Sequence, residues 1–480
     1  MWKSRLFYLI GSWILVLACL QLVPLAYAAI NNESEAFGSF SASTVLAFLF
    51  GGALFLGFRS TERVRVPRLT IFLPIIGIIT LAAMAGLPLF FLFPDSGFLT
   101  SFYDGMSQIT TNGSTAYEGT IDTMSSILLW RSLTSWTGGL MAVAFALSLL
   151  MAMNSGGIQL HQSPLHLGDR ETGYQRLRST TRSLLPIYIF VTLLCFILLW
   201  LAGNTKFDAF ILALSAISTS GVVPEALVHE QGPLHQMILV VFLLIGLSNW
   251  DFHHLRTRTF SVAFRRDREL RTSLLLIAIS AALLAILMDV TFADITAIIF
   301  AATSALSTYG SMPSQVSSLG SGVVLPVAIV LMMLAAIGGA VAGTSGGLKQ
   351  MRILLIYRLG RAEVDRLAHP HGVHTVNYGI EVAEKGDINA VWLLLGSFVL
   401  ITALGAICLA VLGIHFQDAL TLAFTAMTLS GPLAISADPE FAGYASLAQI
   451  DYLILSVLML VGRIEAPIFM AIFAKALWRG

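Results

Sequence analysis

Apolar residues fill this chain in long runs, and polar residues gather between them. The runs cover 6–29, 42–58, 69–93, 124–151, 184–203, 234–250, 272–289, 322–347 with a continuation, 389–414 and 446–474. Each comes near the ~20 residues that a helix needs to cross a bilayer. The polar intervals are of two kinds. Four are rich in basic residues: Arg59, Arg63, Arg65 and Arg68; Arg170, Arg176, Arg178 and Arg182; Arg256, Arg258, Arg265, Arg266, Arg268 and Arg271; and Lys349, Arg352, Arg358, Arg361 and Arg366. The intervals opposite carry Glu33, Glu35, Glu118, Asp122, Glu225, Glu230, Asp438 and Glu440. Loops rich in Lys and Arg stay on the cytoplasmic side. The basic set is therefore expected inside, with both termini (Lys3 and Arg5; Lys475 and Arg479).

This alternation constrains the crossings. Between two basic loops the chain must cross an even number of times. From Arg182 to Arg256 two full helices fit, 184–203 and 234–250. Lys206 to Val223 remains between them, too short and too rich in hydroxyls to span. It must enter from the outside and return there. Non-helical backbone at membrane depth survives only where protein buries it or it lines water.

Composition supports a chain dissolved in lipid. Hydrophobic residues make up 56% and charged residues 11%, and mean hydropathy is +0.83. Soluble domains carry about 25% charged residues. The formal net charge is zero, which gives no field for nucleic acid. Cys19, Cys195 and Cys408 lie in apolar runs without metal-ligand spacing and are expected as small buried packing residues. The N-terminal stretch resembles a secretory signal, but its apolar run exceeds the roughly 7–15 residues of a signal core. A retained first helix is expected.

The short segment between two helices recurs four times, as YDGMSQITTNGS, LSAISTSGVV, TSALSTYGSM and TAMTLSGPLA. Their glycines are Gly113, Gly221, Gly310 and Gly431, each preceded by hydroxyls: Thr110 and Thr111, Ser218 and Thr219, Ser307 and Thr308, Thr428. Three segments carry an acidic residue near their start, Asp208, Asp294 and Asp418. A half-helix here points its C-terminal, partially negative end toward the membrane centre. The chain then turns back as an extended strand, with glycine supplying the freedom to turn. Four such strands around one axis make rings of carbonyl oxygens, which replace the hydration shell of a monovalent cation. Neutral carbonyls suit K⁺ better than a divalent ion, which recruits carboxylates.

The fourfold pattern resembles the TrkH/KtrB/HKT superfamily of potassium transporters, closest to its bacterial TrkH branch. WRSLTSWTGGLMAV (Trp130 to Val143) is similar to the tract opening the second helix of that family's first repeat. GGAVAGTSGGLKQMRILLIYR (Gly338 to Arg358) resembles the glycine-rich loop that interrupts the second helix of the third. RLAHPHGV (Arg366 to Val373) and VGRIEAPIFMAIFAKALWR (Val461 to Arg479) resemble the following cytoplasmic segment and the last helix with its arginine. The resemblance covers nearly the whole chain.

It implies an all-α polytopic membrane protein of the bacterial inner membrane, not an enzyme. Four pseudo-repeats of helix, re-entrant pore loop and helix surround one pore after two N-terminal helices (1–66). The repeats are 67–155, 156–258, 259–386 and 387–480. The implied function is K⁺ uptake through one filter formed by Thr110, Thr111, Asn112 and Gly113; Ser218, Thr219, Ser220 and Gly221; Ser307, Thr308, Tyr309 and Gly310; and Thr428, Leu429, Ser430 and Gly431. These residues act mainly through their carbonyls. The gate is expected in Gly338, Gly339, Gly343, Thr344, Ser345, Gly346, Gly347 and Lys349, with Arg463 beneath the filter. Lys349 could contact helix carbonyls. Arg463 and Glu465, two apart, do not share a helix face. A homodimer is implied, as is a separate cytosolic nucleotide-binding regulatory subunit of TrkA or KtrA type. No GxGxxG after a predicted strand and no P-loop puts such a domain in this chain, and no cofactor is expected. Channel-like conduction and H⁺- or Na⁺-coupled symport both stay open.

Three filter positions depart from the family pattern. Asn112 stands where Thr is common, Tyr309 precedes the third glycine, and Leu429 lies two before the fourth. The alternative is a Na⁺ or poorly selective monovalent cation pathway of the same fold. In the plant branch a serine at the first glycine accompanies Na⁺ transport, so Gly113 leans toward K⁺. His253, His254, His369, His371 and His374 fall in loops without helical ligand spacing and are expected to be solvated or in partner contact.

Overall fold

The structure is a computed structural model that describes residues 2–59, 67–119, 124–150, 173–224, 227, 232–250, 267–288, 294–313, 324–368, 377–378, 381–382, 385–437 and 441–464. The histidines just named, Glu465, Lys475 and Arg479 lie outside the described residues, as do Arg63, Arg65, Arg170 and all of 256–266.

The described chain is helical apart from a two-residue antiparallel ladder, β1 (Asn377–Tyr378) with β2 (Glu381–Val382). Helices α1 (Trp2–Ile30) and α2 (Ser34–Gly57) form an antiparallel hairpin. The carboxylate of Glu33 at its turn accepts from the backbone N–H (3.2 Å) and hydroxyl of Ser126. That fastens the hairpin to the helix beginning there. Three-helix units follow. The first holds α3 (Pro67–Leu92), α4 (Phe98–Ile109) and α5 (Ser125–Phe145), the last extended by a π-helical turn, Ala146–Leu150. The second holds α6 (Gly173–Leu201), α7 (Lys206–Ser218) and α8 (Pro233–Leu247). The third holds α9 (Arg268–Met288), α10 (Ile295–Leu306) and α11 (Val324–Ile337), continued after a break by α12 (Gln350–Ala368). The fourth holds α13 (Lys385–Val411), α14 (Phe416–Thr428), a short α15 (Pro432–Ala437) and α16 (Gln449–Ile464).

Among the described residues, six helices are long and apolar enough to cross a membrane: Lys3–Ile30, Ser34–Gly57, Ile71–Leu92, Leu177–Leu201, Arg268–Met288 and Val391–Val411. The middle helices α4, α7, α10 and α14 have 12 or 13 residues each. At 1.5 Å per residue they reach about 20 Å, short of the ~30 Å hydrocarbon core. Their starts carry the acidic residues noted in the sequence. Asp208 and Asp418 sit in first turns and Asp294 just before α10, at the partially positive helix ends. The Thr205 hydroxyl also caps α7 by accepting from Asp208 N (3.1 Å).

Each middle helix packs in its own unit, and α4, α7 and α10 also touch the closing helix of the unit before: α4 meets α16, α7 meets α5, and α10 meets α8. The contact of α4 with α16 closes the circuit. Burial is inverted relative to a soluble protein. Val411 (81%) and Ile286 (78%) are exposed, while Thr110, Ser218, Ser307 and Thr428 are at 0%. Such a surface suits lipid, with the polar groups satisfied inside. The expectation of three buried cysteines holds for Cys195 alone. Cys19 and Cys408 are exposed; a weakly polar thiol is tolerated on an apolar outer surface.

Candidate functional site: a carbonyl ring over a broken helix

The four middle helices end alike. The residue two before each glycine is left-handed: Thr111 (φ 60°), Thr219 (52°), Thr308 (59°) and Leu429 (61°). The next N–H reaches five residues back: Asn112 to Ser107 O (2.8 Å), Ser220 to Ser215 O (3.1 Å), Tyr309 to Ser304 O (2.9 Å) and Ser430 to Thr425 O (2.9 Å). The left-handed residue's own N–H donates three residues back, to Gln108, Ala216, Ala305 and Ala426. This pair of bonds is a Schellman C-cap. Glycine or asparagine normally occupies its left-handed position. A bulkier residue costs about 1–2 kcal/mol there, and three of these four are β-branched.

The turn therefore begins at a threonine or leucine, two residues earlier than the sequence suggests. The glycines serve a second need, close approach. A Cβ built on Gly113 would fall on the carbonyl oxygen of Ser220, and one on Gly221 on that of Tyr309. On Gly310 it would lie 3.2 Å from the carbonyl oxygen of Ser430. The circuit closes at Gly431, whose N–H donates to Asn112 O (2.9 Å). The four segments thus meet in cyclic order, each glycine beside the residue that precedes the next one. Gly113, Gly221 and Gly310 have positive φ, between 68° and 85°. Gly431 does not. Its segment does not run on as an extended strand but enters α15 at once, with Pro432 as first residue, and Ala434 N donates to Gly431 O (3.0 Å). Proline is pre-shaped for that position and needs no donor there.

The departing side chains are absorbed by packing. Asn112 Nδ2 donates to Thr425 O (3.1 Å), and its Oδ1 accepts from the Ser114 hydroxyl (2.6 Å). The Tyr309 ring is buried edge-on against Phe300. Leu429 is fully buried.

Residues 338–349 break the third unit's closing helix between α11 and α12. Gly338 (φ 68°), Gly347 (77°) and Lys349 (72°) are left-handed. The break is bonded on all sides. Thr344 N and Oγ1 both donate to Gly246 O (3.0 Å each), and Oγ1 also contacts Ile217 O and Thr219 Oγ1 (3.2 Å each). Gly346 N donates to Thr308 Oγ1 (2.8 Å). A Cβ on Gly343 would stand 2.6 Å from Leu247 O, and one on Gly346 would meet Thr428 O. Gly339 N donates to Ser345 Oγ (3.1 Å). Lys349 Nζ donates to the loop's own carbonyl at Ser345 O (2.5 Å).

Arg463 enters from α16. Its Nε donates to Thr110 O (2.9 Å), Nη1 to Thr344 O (3.0 Å), and Nη2 to Thr110 O and Thr111 Oγ1. One guanidinium thus bridges the first ring segment and the broken helix. A snorkelling arginine would point its head to the interface instead.

Sequence reading passed over several residues that the fold recruits. Glu269 is buried, and its carboxylate accepts from Val341 N (3.3 Å) and Asn249 Nδ2 (3.5 Å). Gln350 Nε2 donates to Gly338 O (3.1 Å) and Ser273 Oγ (2.7 Å). Asp104 and Arg131 form a buried ion pair behind the first segment. Their signal was available, since ionisable residues inside apolar tracts are rare and seldom idle. Gly138 of the WTGGL tract has its own reason: a Cβ there would strike Ile109 O at the end of α4. Among the described residues no group of three or more His, Cys, Asp or Glu could hold a metal ion.

Known proteins share this architecture. A Trk system potassium uptake protein TrkH of Salmonella typhimurium is 29% identical over 415 residues, 83% of each chain. The TrkH of Escherichia coli K12 is 26% identical over 490 residues, 98% of each. The crystal structure of the potassium transporter TrkH from Vibrio parahaemolyticus superposes with a TM-score of 0.85 over the full length of both chains at 23% identity, a likeness of fold. The TrkH family profile, described as a cation transport protein, matches residues 45–477. This multi-pass membrane protein belongs to the TrkH family of cation transport proteins.

Proposed function

We propose that the chain is the transmembrane subunit of a potassium uptake system. K⁺ sheds water against the carbonyls of Thr110 to Gly113, Ser218 to Gly221, Ser307 to Gly310 and Thr428 to Gly431. It passes inward to the break at 338–349, which with Arg463 forms the gate. Two N-terminal helices (1–66) precede four units, 67–155, 156–258, 259–386 and 387–480. The basic loops and both termini face the cytoplasm of a bacterial inner membrane. The chain works as a homodimer and answers to a separate nucleotide-binding regulatory subunit on the cytoplasmic side.

The observation that carries this reading is the cyclic order of glycine against carbonyl, 113 to 220, 221 to 309, 310 to 430 and 431 to 112. Neutral backbone oxygens gathered by four C-terminal helix ends favour a monovalent cation. The relatives' names specify potassium for those proteins. A second reading, a Na⁺ or poorly selective pathway, draws on Asn112, Tyr309 and Leu429. Competition of Na⁺ with K⁺ in a flux assay separates the two.

The decisive experiment is K⁺ uptake in a bacterial strain lacking its own K⁺ importers. The wild-type chain is expected to restore growth at low K⁺. Gly221→Ser, whose Cβ would fall on the Tyr309 carbonyl, is expected to abolish it at equal expression. A well-expressed wild type that restores nothing would sink the transport assignment.

A further inference from the structure

The ring's four quarters share one C-cap but not one electrostatic setting. Behind the first quarter, Arg131 Nη2 donates to the carbonyls of Gly113 (3.4 Å) and Ser114 (3.3 Å). Arg131 Nε lies 3.4 Å from Asp104 Oδ2, with the two side chains 6% and 0% exposed. The same Asp104 oxygen accepts from Gln108 Nε2 (2.5 Å), and Gln108 Oε1 accepts from the Thr134 hydroxyl (2.6 Å). The Ser114 carbonyl also accepts from Ser107 Oγ (2.6 Å).

Aligned on the glycines, the other quarters show no such network among the described residues. The positions matching Asp104 are Leu212, Ala301 and Leu422, and those matching Gln108 are Ala216, Ala305 and Ala426. The position matching Ser107 keeps a hydroxyl throughout, in Ser215, Ser304 and Thr425. Common architecture is thus retained while charge is confined to one quarter. A buried ion pair costs several kcal/mol per ion to desolvate and seldom repays this in stability alone. Here it spends its donors on a carbonyl of the ring. A guanidinium at a carbonyl oxygen fixes that oxygen's direction and competes with a cation for its electron density.

We infer that Arg131 and Asp104 are a positioning pair that sets the first-quarter carbonyls and, through them, the ring's preference among monovalent cations; this rests on the reading of the ring as a cation site. Arg131 does the aiming. Asp104 neutralises it and holds its plane, with Gln108 and Thr134 holding Asp104 in turn. The first quarter is also where Asn112 replaces the family's threonine, and Ser114 joins the two features by donating to Asn112 Oδ1 (2.6 Å).

The test reads cation binding on purified full-length protein. Thermal unfolding is followed in detergent against rising K⁺, Rb⁺ or Na⁺, with choline holding ionic strength constant. A bound ion raises the melting temperature with the logarithm of its concentration once that exceeds its Kd. Wild type is expected to respond to K⁺ at lower concentration than to Na⁺. The doubly neutral variant Asp104→Asn with Arg131→Gln avoids an orphaned buried charge. Arg131→Lys keeps the charge but loses the fork that faces Asp104 with one nitrogen and the carbonyls with another. Both are expected to need about tenfold more K⁺ for the same shift, the scale of one charged hydrogen bond, and to narrow the gap to Na⁺. A purely structural pair would lower every melting temperature and leave unchanged both the cation order and the concentration each cation needs for a given shift. That result in either folded variant overturns the inference while leaving the ring reading intact. A wild type stabilised equally by all these salts overturns both.

Discussion

Arg463 shows how much one side chain can join. Its fork holds a ring carbonyl, Thr110 O, and a carbonyl of the broken helix, Thr344 O. Charged hydrogen bonds contribute about 1.5–3 kcal/mol each. Arg463→Ala is therefore expected to raise basal K⁺ efflux from proteoliposomes by tenfold or more, about one such bond. Efflux equal to wild type would count against a gating role. The sequence exposed this residue because arginine in an apolar helix has few options. It did not expose Thr111, Thr219 and Thr308 as left-handed. Threonine is a poor choice for that conformation by local preference, and only the tertiary partners of their hydroxyls, Arg463, Thr344 and Gly346, give them a reason to be there. Strain of this kind gathers where surrounding structure over-determines it.

Among the elements, the break at 338–349 was legible as a cluster of glycines and small residues that cannot continue a helix. What fastens it was not. Thr344 looks like one more small polar residue in sequence, yet its hydroxyl meets Gly246 O, Ile217 O and Thr219 Oγ1. Thr344→Val keeps the shape and removes these bonds. With a net 0.5–1.5 kcal/mol per bond, closure should weaken by roughly 1–2 kcal/mol. Basal flux should rise several-fold without loss of expression; a flux unchanged or lowered would show that the hydroxyl does not hold the break shut. The short middle helices were legible too, by counting crossings between basic loops. Their shared C-cap was not, because its bonds are backbone bonds and Leu429 satisfies the same geometry as three threonines. The fourth quarter's switch into α15 was signalled only by Pro432 following the glycine.

For the molecule as a whole, the four recurring glycines were legible in the sequence, but not the order in which their segments touch. That order comes from contacts between residues about 90–120 positions apart, and from α16 returning to α4. The N-terminal hairpin stands outside this circuit and is tied to α5 through Glu33. Glu33→Ala should lower stability by about 1–3 kcal/mol, the cost of orphaning buried donors. It should leave K⁺ over Na⁺ preference unchanged. A melting curve and a competition uptake assay check the two halves of that statement, and an altered preference would place the hairpin within the transport machinery.

The three left-handed threonines carry a consequence at this scale. Each gives its backbone to the ring above and its hydroxyl to Arg463 or the break below. On the proposed reading, occupancy of the one and displacement of the other share a single coupling free energy, and linkage makes that coupling reciprocal. An ion that settles the ring must favour one position of the break. A cytoplasmic signal that moves the break must change how tightly the ring holds its ion. The K⁺ affinity of Thr344→Val set against wild type reads that exchange directly: on the proposed reading, the atoms that hold the cargo are bonded to those that gate it.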